Sequence, residues 1–205
     1  MSNIFDAIKE RRSIRKYKAR SVPKELIEEV LVAAGWAPSA HNSQPWRFIV
    51  LDDPLIKREI SKAMAESWAE DLSKEGIEIR PKVHKMRVER FATAPALILA
   101  CTTMVGMKKF SDKRRSDAER DLVMQSLGAA LQSMLLAINE KGLGACWFCA
   151  PSFCKPTVRR VLKIPEEIEP EALITIGYPA EKPLPPSRKL ISEYSFKDKW
   201  GKGLN

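Results

Sequence analysis

Residues 117–150 read DAERDLVMQSLGAALQSMLLAINEKGLGACWFCA, which joins the longest predicted helix of this 205-residue chain to a predicted strand. Apolar side chains recur at helical spacing from residue 117 to residue 141 and form a wide face, made of Leu122, Val123, Leu127, Ala130, Leu131, Met134, Leu135 and Ile138. Gly142 predicts the end of this helix, and the uncharged residues 144–150 are typical of a buried strand. A long, slim, apolar helix of this kind is either the spine of the core or a subunit interface.

Helices and strands alternate along the rest of the chain, with two helices between strands in places. Helices are predicted at residues 4–11, 23–35, 53–68, 83–91 and 153–162, and strands at 46–51, 96–101 and 172–176. This order predicts a single domain over residues 1–205, an α+β fold built as a layered α/β sandwich. The polar stretches near 64–90 and 104–117 are predicted to be lid excursions, and the proline-rich residues 182–205 an extended C-terminal arm.

Composition narrows the class of protein. The formal net charge is +9, but 35 basic residues are spread among 26 acidic ones, which favours an anionic small ligand over nucleic acid. No apolar run reaches the roughly 20 residues of a membrane span, and the N-terminus lacks a signal pattern. We therefore expect a cytoplasmic protein that does not enter a membrane.

The four cysteines include a Cys-x-x-Cys pair, Cys146 and Cys149. Both fall in the predicted strand 144–150, where residues three apart point to opposite faces. A zinc site would need a second pair of ligands, and a redox pair would need a following helix N-terminus. We expect these cysteines to pack in the core and no metal to bind.

Two polar motifs carry the functional prediction. Residues 38–48 read PSAHNSQPWRF, where small hydroxyls, carboxamides and prolines suit a binding wall for a flat ring with polar edges. In Arg11-Arg12-Ser13-Ile14-Arg15, alternate residues of an extended segment share a face, so Arg11, Ser13 and Arg15 suit a phosphate or an anionic ring edge. The alternatives are a solvated basic turn or a kinase recognition site.

Other phosphate and nucleophile motifs are absent from the sequence. There is no Gly-x-Gly-x-x-Gly or Gly-x-x-x-x-Gly-Lys loop, which argues against a Rossmann nicotinamide site and a nucleoside triphosphate site. There is no Gly-x-Ser-x-Gly elbow to partner His41, which argues against a hydrolase. A phosphate must be held by side chains from separate parts of the chain.

Four motifs in this order resemble the nitroreductase family of FMN-dependent oxidoreductases. They are Arg11-Arg12-Ser13-Ile14-Arg15, Pro38-Ser39-Ala40-His41-Asn42-Ser43-Gln44-Pro45-Trp46, Gly142-Leu143-Gly144-Ala145-Cys146-Trp147 and Ile176-Gly177-Tyr178-Pro179. The part from residue 117 onward looks most like the FMN-binding domain fused to some F420:glutamyl ligases. The resemblance implies a nitroreductase-like fold with a central mixed or antiparallel sheet flanked by helices. It also implies an intertwined homodimer with FMN at the interface.

The resemblance further implies roles for individual residues. Arg11, Arg12 and Ser13 match positions that hold the FMN phosphate and ribityl chain, and Arg15 matches a cation beside flavin N1 and O2. The wall supplied by the other subunit matches Pro38, Ser39, Ala40, Asn42 and Gln44, and the stretch near flavin N5 matches Cys149, Ala150 and Pro151. Arg188 matches a late phosphate ligand, and Lys189 is the candidate substitute for a second cation missing at Pro186.

By resemblance, the chain would transfer hydride from NADH or NADPH to an electron-poor acceptor such as a nitroaromatic or a quinone, by a ping-pong mechanism. The protein would supply binding, orientation and electronics, and no side chain is assigned as an acid or base. Two alternatives stay open: a flavin reductase step in the maturation of F420 or another cofactor, and a non-catalytic flavin-binding protein.

Overall fold

The computed structural model describes residues 3–204, which form six α-helices and four β-strands. The helices are α1 (Ile4–Glu10), α2 (Lys24–Gly35), α3 (Pro54–Lys74), α4 (Pro81–Ala92), α5 (Lys113–Glu140) and α6 (Lys155–Leu162). The strands are β1 (Trp46–Leu51), β2 (Ala96–Thr103), β3 (Gly144–Phe148) and β4 (Ile168–Gly177). Short 3-10 turns occupy Ala40–Asn42, Ala150–Phe153 and Ile191–Glu193.

The four strands form one antiparallel sheet in the order β1-β2-β4-β3. The segment after α1 extends this sheet at the β3 edge, where Ser13 pairs in parallel with Ala145 and Tyr17 pairs antiparallel with Pro179. The expected nitroreductase-like sheet, mixed or antiparallel and flanked by helices, is therefore confirmed.

Helices cover both faces of the sheet, and β2 shows how the sequence divides between them. Its residues are all buried, yet Ile98 and Ala100 pack in the cluster with α2 and α5, whereas Leu97 and Leu99 pack in the cluster with α3 and α6. Successive side chains on a strand point to opposite faces. A continuous apolar run is thus what a strand between two helical layers requires, and the predicted layered sandwich is correct.

Helix α5 is the spine of the larger cluster. It begins four residues before the predicted start, where the Asp112 carboxylate caps it by accepting the Arg115 N–H at 3.0 Å. An 18-residue window of α5 has a mean hydropathy of 1.4, which meets the length and composition test for a membrane span. Core helices of soluble proteins pass the same test, and Leu127, Leu131 and Met134 of α5 are buried against the sheet.

Two parts of the chain differ from the sequence expectation. The strand predicted at 144–150 ends at Phe148, so Cys149 is exposed and only Cys146 of the pair packs in the core. The polar stretch near 64–90 is mainly helical, because α3 continues to Lys74 and α4 begins at Pro81. The two helices pack against each other. The role of residues 64–90 as a lid stays a prediction.

Candidate functional site

The segment with Arg11, Ser13 and Arg15 is held rigidly at the sheet edge. Ile14 is buried, and its N–H donates to the Ala145 carbonyl at 2.9 Å. Gly144 makes the close approach possible, since a Cβ at this position would lie 2.7 Å from the Ile14 Cβ. Ile14 faces inward, Arg11, Arg12 and Ser13 are all half-buried and Arg15 is exposed, so the shared face of Arg11, Ser13 and Arg15 stays a prediction.

This segment, which we call the arginine strand (residues 11–15), carries three arginines, and the acids Glu10 and Glu181 lie beside it. Burial raises the pKa of the Cys146 thiol beside it, and the neighbouring charge of Arg15 acts in the opposite direction. Arg12 is turned back toward α1, where its Nη1 donates to the carbonyls of Lys9 at 2.6 Å and Arg11 at 2.9 Å. Some of the Arg12 N–H groups are therefore already hydrogen-bonded to the end of α1.

Arg11 and Arg12 line a cavity of about 340 Å³ between the arginine strand, the last turns of α5 and the start of the C-terminal tail. Asn139 and Lys182 also face it, as do the acids Glu10 and Glu181. Glu181 is already engaged, because its carboxylate accepts the backbone N–H groups of Arg15 and Lys16 at 2.6 and 3.1 Å. The cavity thus presents cationic side chains next to a tail segment that is locally pinned.

The polar loop at residues 38–44, here called the wall, carries concentrated backbone strain. Three of its non-glycine residues have left-handed backbones: His41 (φ 56°), Asn42 (φ 50°) and Gln44 (φ 44°). Each such residue costs on the order of 1–3 kcal/mol and persists only where its surroundings enforce it. Here the Ser39 hydroxyl accepts the Gln44 N–H at 3.0 Å, and the Ser126 hydroxyl on α5 accepts the Ala40 N–H at 3.1 Å.

A buried carboxylate beneath the wall was missed by the sequence analysis. Glu119 is 6% exposed, and its oxygens lie 3.3 Å from His41 Nε2 and 3.1 Å from the Lys108 N–H. The available signal was its position on α5, four residues before Val123 and seven before Ser126, which places an acid on the buried stripe. Glu119 holds the strained His41 and the 104–112 loop together.

The hydroxyl of Ser43, also in the wall, is buried and has no hydrogen-bond partner, the one such side-chain atom in residues 3–204. Gly106 closes over it, since a Cβ there would lie 3.2 Å from the Ser43 Cβ. An unsatisfied buried hydroxyl costs about 1–3 kcal/mol, so Ser43 adds to the strain that the wall already carries. The exposed side-chain amides of Asn42 and Gln44 are the polar groups of the wall that fit a ring with polar edges.

Residues 149–151 lie immediately beyond β3, at the end of the sheet edge that carries the arginine strand. Cys149 is exposed, Ala150 is half-buried and Pro151 is buried. Cys149 and Ala150 line a second cavity of about 750 Å³, whose other walls are α3, α4 and residues 153–154. β3 thus links the predicted flavin N5 stretch to the predicted phosphate ligands within one chain.

One chain does not bring all the predicted residues to a single point. The wall contacts the first half of α5 at Glu119 and Ser126, whereas the arginine cavity is lined by Leu135, Ile138 and Asn139. Leu135 lies about 14 Å beyond Ser126 along the helix at 1.5 Å per residue. Arg188 and Lys189 are exposed on the tail, where Arg188 Nη1 donates to the adjacent Ser187 carbonyl at 3.3 Å. The site is divided into separate parts within the chain.

Comparison with known proteins shows the family to which this chain belongs. The model of the nitroreductase family matches residues 8–178, a range that contains the arginine strand, the wall and all four strands. A protein of Methanothermobacter thermautotrophicus, provisionally named an NADH dehydrogenase/NAD(P)H nitroreductase, is 33% identical over 183 residues, covering 88% of this chain and 80% of the relative. An iodotyrosine deiodinase of Thermotoga neapolitana is 30% identical over 203 residues, covering 95% and 99% of the two chains.

Solved structures agree with the sequence comparisons. A Desulfovibrio desulfuricans structure described as a nitroreductase in complex with FMN superposes with a TM-score of 0.72 at 28% identity, and covers 98% of this chain and 99% of that one. The match extends over both helical layers and the sheet, so the resemblance includes the whole fold. The chain belongs to the nitroreductase family, and its relatives include proteins named as NAD(P)H nitroreductases and others named as iodotyrosine deiodinases.

Proposed function

We propose that this protein is an FMN-dependent oxidoreductase that takes hydride from NADH or NADPH and passes it to an electron-poor acceptor in a ping-pong cycle. The observation that carries the proposal is the presence, in a chain of this family, of the arginine strand together with the strained wall. Ile14 anchors the arginine strand to the sheet, but its neighbouring arginines are not needed for that contact, and the left-handed residues of the wall cost stability. Both match what a flavin mononucleotide requires: cations for a phosphate and polar atoms for a ring edge.

Different residues would contact different parts of the cofactor. Arg11 and Ser13 would hold the phosphate, Arg15 would place a positive charge beside the ring, and residues 149–151 would lie along the ring near its reactive edge. Ser39, Asn42 and Gln44 would orient the ring from the other side. When bound, FMN supplies the hydride-accepting chemistry, while the protein sets its position and its electrostatic surroundings.

A homodimer is part of the proposal, because the wall and the arginine cavity lie at least about 14 Å apart along α5 in one chain. Large apolar side chains are also exposed on α1, after α2 and on the tail, among them Phe5 (65%), Trp36 (86%) and Trp200 (91%). Monomeric proteins rarely leave many such groups in water. A second copy would cover them, bring its wall to this chain's arginines, and give Arg188 and Lys189 an anion to bind.

A second acceptor class is favoured by relatives named iodotyrosine deiodinase. Under this alternative the same flavin site would reduce a halogenated phenol. Comparing turnover of 3-iodotyrosine with turnover of a nitroaromatic, with one reductant, distinguishes the two. The cofactor-maturation role and a cytoplasmic location stay predictions.

The test begins with the visible spectrum of the purified protein. We expect an oxidised flavin spectrum, one FMN per chain, and anaerobic bleaching by NADH or NADPH followed by recovery when an acceptor is added. A colourless protein that neither retains nor rebinds added FMN would overturn the proposal. Bound flavin that no nicotinamide nucleotide or reduced F420 can bleach would instead support a non-catalytic flavin-binding protein.

A further inference from the structure

The cavity beneath α3 and α4 is large enough for a small molecule and has an aromatic lining. Its volume is about 750 Å³, within the range of ligand pockets. Trp68, Phe91 and Phe153 line it together with Cys149 and Ala150, the two residues that the proposed function places along the flavin. A ring-shaped acceptor could therefore enter next to the reacting centre and contact aromatic faces.

Arg87 gives this cavity a positive group that is held in place. Its guanidinium carbon lies 3.4 Å from the centre of the Trp68 ring, a stacked cation–π geometry. Arg87 is half-buried, and within residues 3–204 no carboxylate pairs with it and no hydrogen bond satisfies it. Burial, with the like charge of Arg90, lowers its pKa, but an arginine remains charged at neutral pH.

The other charged groups of the cavity do not neutralise Arg87. Asp71 is paired with Lys74 at 2.9 Å, and Glu75 is exposed where α3 ends. By contrast, Arg58 of α3, ten residues before Trp68, makes a two-pronged pair with Glu89 of α4 at 2.9 and 3.3 Å. The guanidinium of Arg87 thus keeps its N–H edges free for a ligand while its face is occupied by Trp68.

We propose that this cavity binds an aromatic electron acceptor with an anionic substituent, that Arg87 pairs with the anion, and that Trp68 keeps the guanidinium in position. The inference rests on the proposed function and specifies the acceptor for the same site. A planar guanidinium whose face is stacked can still donate two parallel hydrogen bonds from its edge. Arg87 is a specificity-determining residue in this scheme, because it contacts the substituent and not the reacting atoms.

The test compares 4-nitrobenzoate with 4-nitrobenzamide on the FMN-loaded protein, because the two differ in charge but little in size. The ratio of their kcat/KM values is measured for the wild type, Arg87→Gln and Arg87→Lys, so that intrinsic reactivity cancels between proteins. We expect Arg87→Gln to lower the ratio about tenfold or more, the usual effect of losing a charge-assisted pair. Arg87→Lys keeps the charge without the flat stack and should fall between the two.

Arg58→Gln is the matched control, since it removes the same charge from an exposed pair near the cavity. The proposal predicts that this variant keeps the wild-type ratio within about twofold. Equal changes in Arg58→Gln and Arg87→Gln would overturn the proposal, because they would show a general charge effect. A rise in KM for NADPH with an unchanged acceptor ratio would also overturn it, and would assign Arg87 to the nucleotide phosphate.

Calorimetric binding of 4-nitrobenzoate to the oxidised protein supplies a readout that does not depend on turnover. We expect the dissociation constant to rise about tenfold in Arg87→Gln and to be unchanged in Arg58→Gln. If NADH and NADPH fail to bleach the flavin, the proposed function fails while this titration still tests the subsite. If bleaching is normal but 4-nitrobenzoate binds both variants like the wild type, the subsite is wrong and the oxidoreductase proposal stands.

Discussion

Replacing Gly144 by alanine tests whether the contact between β3 and the arginine strand controls flavin binding. The new Cβ would lie 2.7 Å from the Cβ and Cγ1 of Ile14 and 2.9 Å from its Cγ2. Carbon atoms prefer separations of about 3.5–4.0 Å, so the strand must retreat by roughly 1 Å. Because the obstructing atoms lie at the root of a buried side chain, a rotamer change cannot relieve the clash.

The expected cost is that of an overpacked core, about 1–3 kcal/mol. For a chain of this size a loss of 1 kcal/mol lowers Tm by roughly 2–4 °C, so Tm should fall by about 2–12 °C at constant protein concentration. The shift also displaces Arg11, Ser13 and Arg15, and loss of one charge-assisted bond weakens FMN binding about tenfold. Differential scanning calorimetry and fluorescence titration of the FMN-free protein measure the two effects.

Gly35→Ala is the control, because no atom lies within 4 Å of a Cβ at that position near the end of α2. It should leave FMN affinity unchanged and either keep or slightly raise Tm, since alanine suits a helix better than glycine. The reasoning is refuted if Gly144→Ala binds FMN as tightly as Gly35→Ala, or if its Tm does not fall. The first result would separate the arginine strand from the cofactor.

Three further predictions concern the wall, the thiols and an ion pair. Glu119→Ala removes the partner of His41 and the acceptor of the Lys108 N–H, and it should lower the free energy of unfolding by about 1–3 kcal/mol. Calorimetry should show no comparable loss for the control Asp121→Ala, on the exposed side of α5. Equal losses in the two variants would contradict the role given to Glu119. Native protein at pH 7.5 should react with iodoacetamide at Cys149 alone, because burial raises the pKa of Cys154 to about 11 and that of Cys101 to about 12. If mass spectrometry finds a second cysteine labelled as fast as Cys149, this prediction is refuted. The Arg58 hydrogen bonds lower the pKa of Glu89 below 4.5, so this pair should stabilise the fold fully above pH 4.5 and progressively less as the pH falls. The difference in Tm between the wild type and Glu89→Gln should therefore shrink from pH 6 to pH 3. A difference that stays constant over this range would show that the pair does not stabilise the fold.

The sequence predicted best those features that depend on local periodicity. Strand β2 was recognisable because both of its faces are buried, which demands an uninterrupted apolar run. The pairing of Ser13 with Ala145 likewise agrees with an extended segment at residues 11–15. Helix α5 was found but began earlier than predicted, since its cap Asp112 precedes a first turn without apolar residues.

Other predictions failed where a partner far along the chain decides the structure. Strand β3 ends at Phe148 because the chain then enters the turn Ala150–Phe153, where the Ser152 hydroxyl donates to the Glu171 carbonyl of β4 at 2.7 Å. Cys149 is exposed for this reason. Likewise, Glu119 and His41 are 78 residues apart, and only packing of the wall on α5 brings them together.

The sequence by itself determined the elements of this protein, its family motifs and the chemical character of an anion-binding strand and an uncharged wall, because propensity and periodicity act over a few residues. The tertiary structure decided which side chains became neighbours: Ile14 against Gly144, His41 above Glu119, and Arg87 against Trp68 without a carboxylate partner among residues 3–204. It also divided the wall from the arginine cavity along α5. Such distances depend on how helices pack across the sheet, and no local pattern encodes them.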